Sequence, residues 1–244
     1  MLIRKNNNQL NRRKKTFYEA HIKRIMDIIC ALFAIVVFWW LYLSIALLVK
    51  VRLGSPVIFK QQRPGLNEDI FVLYKFRTMT DECDAEGNLL PDEIRLTSFG
   101  KWLRSTSLDE LPEVFNILRG DMSIIGPRPQ LVRDMVFMTK RQRRRHLVRP
   151  GLSGLAQVNG RNDIDWEAKL DYDLEYASHI TFLGDLKIVL KTVEKVFVSK
   201  EGITETGMAT ATDYGDYLLK RGRVSHEEYE MKQKQAKELL EGNL

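Results

Sequence analysis

An uncharged apolar stretch from Ile28 to Val49 constrains this 244-residue chain more than any other feature. Its length of about 22 residues is enough for a helix to cross a bilayer core of roughly 30 Å. Cations flank it on both sides, at Lys14, Lys15, Lys23, Arg24, Lys50, Arg52, Lys60 and Arg63. Positive charge marks the cytoplasmic side, so a plain transmembrane helix, which hydropathy alone favours, would satisfy only one end. We therefore expect a re-entrant helix, which enters and leaves by the same face, in a membrane-inserted unit at residues 21–50.

The charge balance predicts an anionic partner. The chain has a formal net charge of +6 and a pI of about 9.2, which suits a nucleotide, a lipid head group or a nucleic acid. Cys30 and Cys83 are too few for a disulfide framework and indicate a reducing compartment. The four histidines are scattered and form no zinc-binding pattern. Residues 1–20 form a polar, basic N-terminal tail that lacks the apolar region of a signal peptide.

Paired carboxylates lie in the stretch from Arg104 to Pro129, which reads RSTSLDELPEVFNILRGDMSIIGPRP. Asp109 and Glu110 are adjacent and lie between Arg104 and Arg128. One carboxylate can attack phosphorus, the other can bind a divalent cation, and arginines bind phosphate oxygens in a fork geometry. Prolines on both sides of Arg128 fix its backbone in an extended form. The pattern therefore favours phosphoryl transfer.

The same acids also fit a structural role. Ser107 and Glu110 match the S-x-x-E capping box, and acids are favoured at a helix N-terminus. Pro112 suits the first helical position if the cap lies one residue before it, and Gly120 ends the helix. In either case Asp109 and Glu110 lie at the mouth of a helix, where free backbone N–H groups can bind an anion. From this stretch alone, capping and catalysis both remain open.

The rest of the chain predicts an α+β protein that is mainly helical. Strands are expected at Val57–Lys60 and Ile70–Thr78, around a turn signal at Arg63-Pro64-Gly65. Helices are expected at Leu131–Leu147, Trp166–Tyr176 and Ile180–Val198, and after a capping box formed by Ser225 and Glu228. The apolar stripe of residues 180–198 is typical of a core helix or of one lying on a membrane. Lys75 reads as a solvated cation on an edge strand, and residues 81–94 as a solvated acidic loop.

A basic run from Lys140 to Arg145 ends the first of these helices. It suits the negative cytoplasmic leaflet, at about 1 kcal/mol per cation near the surface. It would also suit nucleic acid, but no zinc-finger, RNP or KH signature accompanies it. We therefore expect membrane lipid and no nucleic acid among the partners.

Six short segments occur in an order that resembles one family. They are KRIMDII, IFKQQRPG, YKFRTM, the SLDELPEVFNIL run, GDMSIIGPRP and RPGLSGLAQVNGR, and together they span about residues 21–215. Each segment is weak by itself, but the six in this order make a specific signal. The chain resembles the bacterial sugar transferase family, the monotopic polyprenol-phosphate phosphoglycosyl transferases.

The resemblance implies roles for individual residues. Asp109 matches the aspartate nucleophile of the family's Asp-Glu pair, and Glu110 matches its magnesium-binding glutamate. The family's phosphate-contacting arginines fall at Arg104, Arg128 and Arg161. Lys75 matches a position in the YKFRTM segment and is a further candidate for binding substrate. The resemblance thus implies Mg²⁺ as the cofactor.

It also implies a reaction and an architecture. A sugar 1-phosphate, with an N-acetylated amino sugar favoured by the short chain, would pass from a UDP-sugar to undecaprenyl phosphate through an aspartyl-phosphosugar intermediate, releasing UMP. A re-entrant membrane helix would precede a catalytic domain at residues 51–216 with a β-hairpin and interfacial amphipathic helices, and a C-terminal helical extension would follow at 217–244. The expected location is the cytoplasmic face of the bacterial inner membrane. The sequence leaves a homo-oligomer open.

One departure from the family pattern concerns the membrane helix. Small members carry a Ser-Pro break in its middle, where this chain has Trp39-Trp40, and Ile28 to Val49 contains no proline. The kink therefore lacks its usual cause, although Ser44 could bond back to a carbonyl. Two other readings stay open: a membrane-docked scaffold without turnover, and a glycosyltransferase that releases UDP.

Overall fold

A computed structural model describes residues 14–160, 164–195 and 212–242. The described chain is mainly helical and contains two small sheets. The helices are α1 (Lys23–Leu53), α2 (Asp92–Arg95), α3 (Ser98–Ser105), α4 (Glu113–Arg119), α5 (Val132–Met135), α6 (Lys140–Arg143), α7 (Leu155–Gly160), α8 (Trp166–Ser178), α9 (Phe182–Glu194), α10 (Tyr214–Lys220) and α11 (His226–Glu241). The strands are β1 (Ile58–Pro64), β2 (Ile70–Phe76), β3 (Ser123–Ile125) and β4 (Gly151–Ser153).

Helix α1 contains the predicted apolar stretch and continues past it at both ends. A π-helical turn at Tyr18–Ile22 leads into its 31 residues, which span about 46 Å. Among the described residues, this is the one helix long and apolar enough to cross a membrane, and only 11% of its most apolar window is buried. So little burial argues against the core helix of a soluble protein.

Both ends of α1 are bonded to the same folded body. Near the start, the Lys23 ammonium pairs with Asp185 at 2.5 Å, and Asp27 accepts hydrogen bonds from the Ser123 hydroxyl and the Ile124 amide, each at 3.0 Å. Towards the end, three side chains join a core cluster with Phe76 and Leu103, namely Ile45, Val49 and Leu53. Between these contacts, the Tyr42 hydroxyl donates to the carbonyl of Leu111 at 2.8 Å.

The middle of α1 stands apart from this body. All residues from Val36 to Trp40 are exposed, whereas residues on either side are partly buried. Five consecutive helical residues cover every face of a helix, so this turn leaves the domain surface altogether. The helix has no break here; the Ser44 hydroxyl donates to the Trp40 carbonyl at 2.8 Å, as its sequence position suggested.

The predicted hairpin is present, with a longer first strand. β1 and β2 are antiparallel, and Phe59 lies opposite Lys75. The strand β1 continues through Arg63 and Pro64, so the reversal falls later than the turn signal, at residues 65–69. The side chain of Asn116 on α4 extends the pairing, because it accepts from the Tyr74 amide and donates to the Val72 carbonyl.

The single helix predicted at Leu131–Leu147 is wrong. The segment forms the short helices α5 and α6 and a 3-10 turn at Arg144–Leu147. Two cations of its basic run are not free to bind lipid, since Arg143 pairs with Glu68 and the buried Arg145 pairs with Asp173, whereas Lys140, Arg141 and Arg144 are exposed. Charged side chains with partners inside the fold are no longer available to the leaflet.

A parallel pair of short strands, β3 and β4, was not predicted. Ser123 lies opposite Gly151, and Ile125 opposite Ser153. The backbones approach so closely that a Cβ on Gly151 would lie 2.0 Å from the Gly126 nitrogen. This contact is why glycine is required at that position.

The remaining helices follow the prediction more closely. α8 begins at Trp166 as expected, and α9 covers residues 182–194 of the expected 180–198, of which 196–198 lie outside the described residues. The Ser225 hydroxyl caps α11 by accepting from the Glu228 amide. Tyr214 and Leu218 of α10 and Ala236 of α11 pack in one core cluster with α5 and α8. The predicted domain boundary at 216/217 falls inside α10.

Candidate active site

Asp109 and Glu110 lie in a 3-10 turn at Leu108–Glu110, directly before α4. The S-x-x-E capping box does not form, because Ser107 adopts a left-handed conformation (φ 56°) and its side chain caps nothing. Pro112 occupies the N-cap position of α4, not the first helical position. The capping explanation for Glu110 is therefore wrong, and its carboxylate points to other partners.

Two cations hold Glu110. The Lys75 ammonium and an Arg128 guanidinium nitrogen each lie 2.7 Å from Oε1 of Glu110. Lys75 comes from β2 and Arg128 from the loop after β3, so the fold brings to Glu110 two residues that lie 35 positions before it and 18 positions after it. The Lys75 side chain is only 16% exposed, so the reading of Lys75 as a solvated edge-strand cation is wrong.

Glu113 is a member of this cluster that sequence reasoning missed. Its carboxylate lies 3.1 Å from the Lys75 ammonium, and its side chain is 3% exposed. It is three residues after Glu110, one helical turn further along, so both acids reach the same lysine. The spacing of Glu110 and Glu113 can be read from the sequence. It indicates a shared lysine only when the position of β2, which carries Lys75, is known.

Asp109 is surrounded differently from its neighbour. It is 7% exposed, and no ion pair within 4 Å joins it to another described residue. Arg104, Lys75 and Arg128 are still near enough to favour its negative charge. Arg104 is further oriented by Thr78, whose hydroxyl accepts from its Nε at 3.0 Å.

The electrostatics separate the two carboxylates. Burial, aided by the charge of Glu110, raises the pKa of the Asp109 carboxyl above its usual value. Burial also disfavours the charge of Glu110, but Arg128 and Lys75 outweigh it and hold the pKa of Glu110 well below its usual value. Burial raises the pKa of Glu113, and Glu110 raises the pKa of Arg128. Glu110 is thus a fixed anion beside a less constrained carboxyl group.

Comparisons with known proteins show the family of the chain. The model of a family described as "Bacterial sugar transferase" matches residues 18–199. The chain belongs to the bacterial sugar transferase family. It is 50% identical over 190 residues to "Uncharacterized sugar transferase EpsL" of Bacillus subtilis (strain 168), covering 78% of this chain and 94% of that protein.

Two further relatives of this sugar transferase are named for a specific reaction. The chain is 40% identical over 188 residues to "UDP-glucose:undecaprenyl-phosphate glucose-1-phosphate transferase" of Klebsiella pneumoniae, covering 73% of this chain and 40% of that protein. It is 39% identical over 189 residues to "UDP-N-acetylgalactosamine-undecaprenyl-phosphate N-acetylgalactosaminephosphotransferase" of Aeromonas hydrophila, covering 72% and 44%. The chain thus spans nearly all of one relative and less than half of the other two.

The donor set of the sugar transferase fits Mg²⁺ only together with substrate. The described residues contain no cluster of three or more His, Cys, Asp or Glu side chains that could hold a metal. However, Mg²⁺ is commonly bound by one or two carboxylates plus substrate phosphates and water. The ionised Glu110 next to Asp109 meets that smaller requirement. Arg161, the third predicted phosphate-binding arginine, lies outside the described residues.

Proposed function

We propose that the protein transfers a sugar 1-phosphate from a UDP-sugar to undecaprenyl phosphate and releases UMP. The observation that carries the proposal is the unequal pair: Glu110 is bound by Lys75 and Arg128, and the buried Asp109 beside it forms no ion pair with another residue that the structure describes. The Klebsiella and Aeromonas relatives are both named for a sugar-phosphate transfer to undecaprenyl phosphate, which supports the same reaction class.

The reaction balances as two displacements at one phosphorus atom. A carboxylate oxygen of Asp109 attacks the phosphorus next to the sugar, and the bond from that phosphorus to the bridging oxygen of the diphosphate breaks. UMP leaves with the bridging oxygen, and the sugar phosphate remains on Asp109 as a mixed anhydride. An oxygen of undecaprenyl phosphate then attacks the same phosphorus, which frees Asp109 and yields undecaprenyl-diphospho-sugar.

The cations of the site oppose charge repulsion in both steps. In the first step an anionic carboxylate approaches an anionic diphosphate. In the second step the anionic lipid phosphate approaches the phosphorus of the phosphosugar, so charge repulsion opposes both steps. Arg128 is 39% exposed, so it can reach a phosphate oxygen while it still contacts Glu110. Arg104 and Arg161 are proposed to contact further phosphate oxygens. Mg²⁺, held by Glu110 when bound, would supply additional positive charge at the diphosphate.

A re-entrant α1 at the cytoplasmic face of the inner membrane is part of the proposal. Both ends of α1 bond to one folded body, through Lys23 and Asp27 at one end and Val49 at the other. A polar body of this kind cannot lie on both sides of a bilayer. The exposed turn from Val36 to Trp40 is then the part that inserts, and the Ser44–Trp40 hydrogen bond is a bond of the type that bends helices slightly.

Helix α9 is proposed to lie on the same membrane surface. Its exposed face is apolar, with Phe182, Leu183, Leu186, Val189, Leu190 and Val193. Such a face on a monotopic protein is typical of a helix in the headgroup region. This interfacial position would place the site near a lipid acceptor whose chain stays in the bilayer.

For the sugar, we propose an N-acetylated amino sugar. The Aeromonas relative is named for N-acetylgalactosamine, which is an N-acetylated amino sugar. The Klebsiella relative is named for glucose, so glucose is the main competitor.

The test is UMP release by the purified protein with Mg²⁺, undecaprenyl phosphate and a panel of UDP-sugars. We expect UMP and not UDP, with the highest kcat/KM for a UDP-N-acetylated sugar. UDP as the nucleotide product would contradict the phosphosugar transfer. Preference for UDP-glucose would overturn only the assignment of the sugar. Absence of turnover with every donor would favour a membrane-docked scaffold.

A further inference from the structure

The loop that carries Arg128 is short of its own hydrogen-bond donors. Pro127 and Pro129 have no N–H group, so the backbone around Arg128 cannot close a turn on itself. The neighbouring strand β4 accepts from the Gly126 amide at the start of the loop and supplies one donor, the Gly151 amide. The Gly126 amide donates to the Ser153 carbonyl at 2.9 Å, and the Gly151 amide donates to the Pro127 carbonyl at 3.0 Å.

The next two carbonyls of this loop are bound by guanidinium groups. Arg145 donates from Nη2 to the carbonyl oxygen of Arg128. Arg63 donates from Nη1 to the carbonyl of Pro129 at 3.2 Å. The two donors come from different parts of the chain, Arg63 from β1 and Arg145 from the 3-10 turn after α6.

Arg145 is itself held rigidly. It is 2% exposed, and Asp173 on α8, also 2% exposed, accepts from its Nε at 2.9 Å and lies 2.8 Å from its Nη2. Replacing a buried ion pair by apolar residues is often neutral or stabilising, so stability alone is a poor reason to keep one. The need for the Arg145 guanidinium to reach one particular carbonyl explains the buried pair better.

We infer that Arg145, fixed by Asp173, is a positioning residue for Arg128. By holding the Arg128 carbonyl, it sets where the Arg128 side chain meets Glu110 and the substrate phosphate. Arg63 performs the same task from the opposite neighbour, at Pro129. The expected effect of Arg145 on turnover rests on the proposed function, whereas its expected effect on the order of the loop does not.

A double-mutant cycle separates positioning from general stability. Arg145→Lys keeps the charge but loses the fork that bridges Asp173 and the Arg128 carbonyl. We expect a loss of roughly ten- to hundred-fold in kcat, as for other supporting residues around reactive groups. In an Arg128→Lys background, the same substitution should cost less than about threefold, because there is no longer a guanidinium to aim.

The control is Arg143→Lys, two residues earlier. Arg143 forms a comparable pair with the buried Glu68, so its loss should lower the melting temperature with little change in kcat. An equal fold-loss for Arg145→Lys in both backgrounds would overturn the inference, because the residue would then act independently of Arg128. If Arg145→Lys does not fold, the cycle is run with Arg63→Lys, for which the same outcomes apply.

A second measurement is independent of turnover. Hydrogen exchange of the Gly126 and Gly151 amides should be faster in Arg145→Lys than in the wild type, and unchanged in Arg143→Lys. Unchanged exchange in Arg145→Lys would contradict the inference even if activity fell. A wild-type protein without UMP release would refute the proposed function, while the exchange result would still decide whether Arg145 orders the loop.

Discussion

Asp109 and Glu110 are adjacent carboxylates with opposite surroundings. Glu110 shares one oxygen between Lys75 and Arg128, whereas Asp109 is buried beside it with its pKa raised. Two groups whose surroundings push their pKa values apart can take different roles in one reaction. This difference is the residue-scale basis for assigning attack to Asp109 and charge organisation to Glu110.

Asp109→Asn should abolish UMP release and the covalent phosphosugar adduct. An amide is nearly the same size as the acid but is a very weak nucleophile, so the fold should be kept. Intact-mass spectrometry of protein trapped with the UDP-sugar alone measures the adduct. Asp121→Asn, which changes an acid elsewhere near α4, serves as the control and should keep the adduct. Normal turnover in Asp109→Asn would refute the nucleophile assignment.

Glu110→Gln should raise the Mg²⁺ concentration needed for half-maximal activity by roughly tenfold or more. The substitution removes both the anionic metal ligand and the charge that holds Lys75 and Arg128. Activity is measured over a Mg²⁺ titration that starts from protein treated with EDTA. An unchanged Mg²⁺ response would show that Glu110 does not bind the metal.

His146 should make the protein less stable as the pH falls. Burial, together with the charge of Arg145, holds the pKa of His146 well below its usual value, so the folded protein keeps it neutral. Below a pH of about 6.5 the unfolded chain binds a proton that the folded chain refuses, and the free energy of unfolding falls by up to about 1.4 kcal/mol per pH unit. The raised pKa values of Asp109 and Glu113 act in the opposite direction in this pH range, so the contribution of His146 is measured as the difference in slope between the wild type and His146→Gln in urea denaturation at pH 5 to 8. An equally steep slope in the variant would assign the effect to other groups.

At the scale of elements, the proposed re-entrant helix α1 would determine how the protein meets the membrane. Its exposed turn carries Trp39 and Trp40, and the chain contains only two other tryptophans, Trp102 and Trp166. This composition allows the proposed insertion of the turn to be tested by tryptophan fluorescence.

Both ends of α1 should be reachable only from the cytoplasmic side. In a background with Cys30→Ser and Cys83→Ser, single substitutions Lys15→Cys and Lys60→Cys should react with a membrane-impermeant maleimide in inside-out vesicles alone. In a second variant, Trp102→Phe with Trp166→Phe, brominated acyl chains should quench the remaining tryptophans. Labelling of the two cysteines from opposite sides would show a spanning helix.

Sequence reasoning predicted those elements whose signals are local. The hairpin β1–β2 follows from its turn residues, and the cap of α11 from Ser225. The helix predicted over 131–147 failed because a basic, apolar-periodic run also fits short turns whose arginines find buried acids elsewhere, as Arg145 finds Asp173. The strands β3 and β4 have three residues each, too few for a periodic pattern.

The site shows the same limit. The acidic pair and Arg128 were predicted, and Lys75 was proposed from family resemblance, but Glu113 was not, because its role depends on a lysine 38 residues away on another element. The capping box failed for a different reason: Ser107 has a left-handed backbone conformation, and its side chain makes no capping hydrogen bond. A sequence pattern contains no information on contacts between distant residues or on the backbone conformation of an individual residue.

At the scale of the whole molecule, the C-terminal helices α10 and α11 are part of the main core. Tyr214 and Leu218 pack with α5 and α8, and the Tyr214 amide donates to the buried Asp134 at 2.8 Å. Asp134 lies in α5, the helix that follows the Arg128 loop, so α10 and α11 also stabilise the part of the fold next to that loop.

Truncation after residue 211 should therefore destabilise the protein severely. It would expose the apolar side chains that α10 and α11 cover and leave Asp134 without one of its donors, and a loss of several kcal/mol follows from burial and hydrogen bonding alone. Differential scanning fluorimetry in detergent measures the change. A truncation after residue 241 removes only the last three residues and serves as the control. An unchanged melting temperature in the longer truncation would show that the C-terminal helices are dispensable.

The hydrogen bond from the Tyr42 hydroxyl to the Leu111 carbonyl has one further consequence. It ties α1 to a residue two positions after Asp109, so the proposed nucleophile would keep a fixed height relative to that helix. When α1 inserts as proposed, the depth at which it settles would determine which lipid phosphates Asp109 can reach. Bilayers of different thickness should present the lipid phosphate at different distances from a carboxylate that stays at a fixed level.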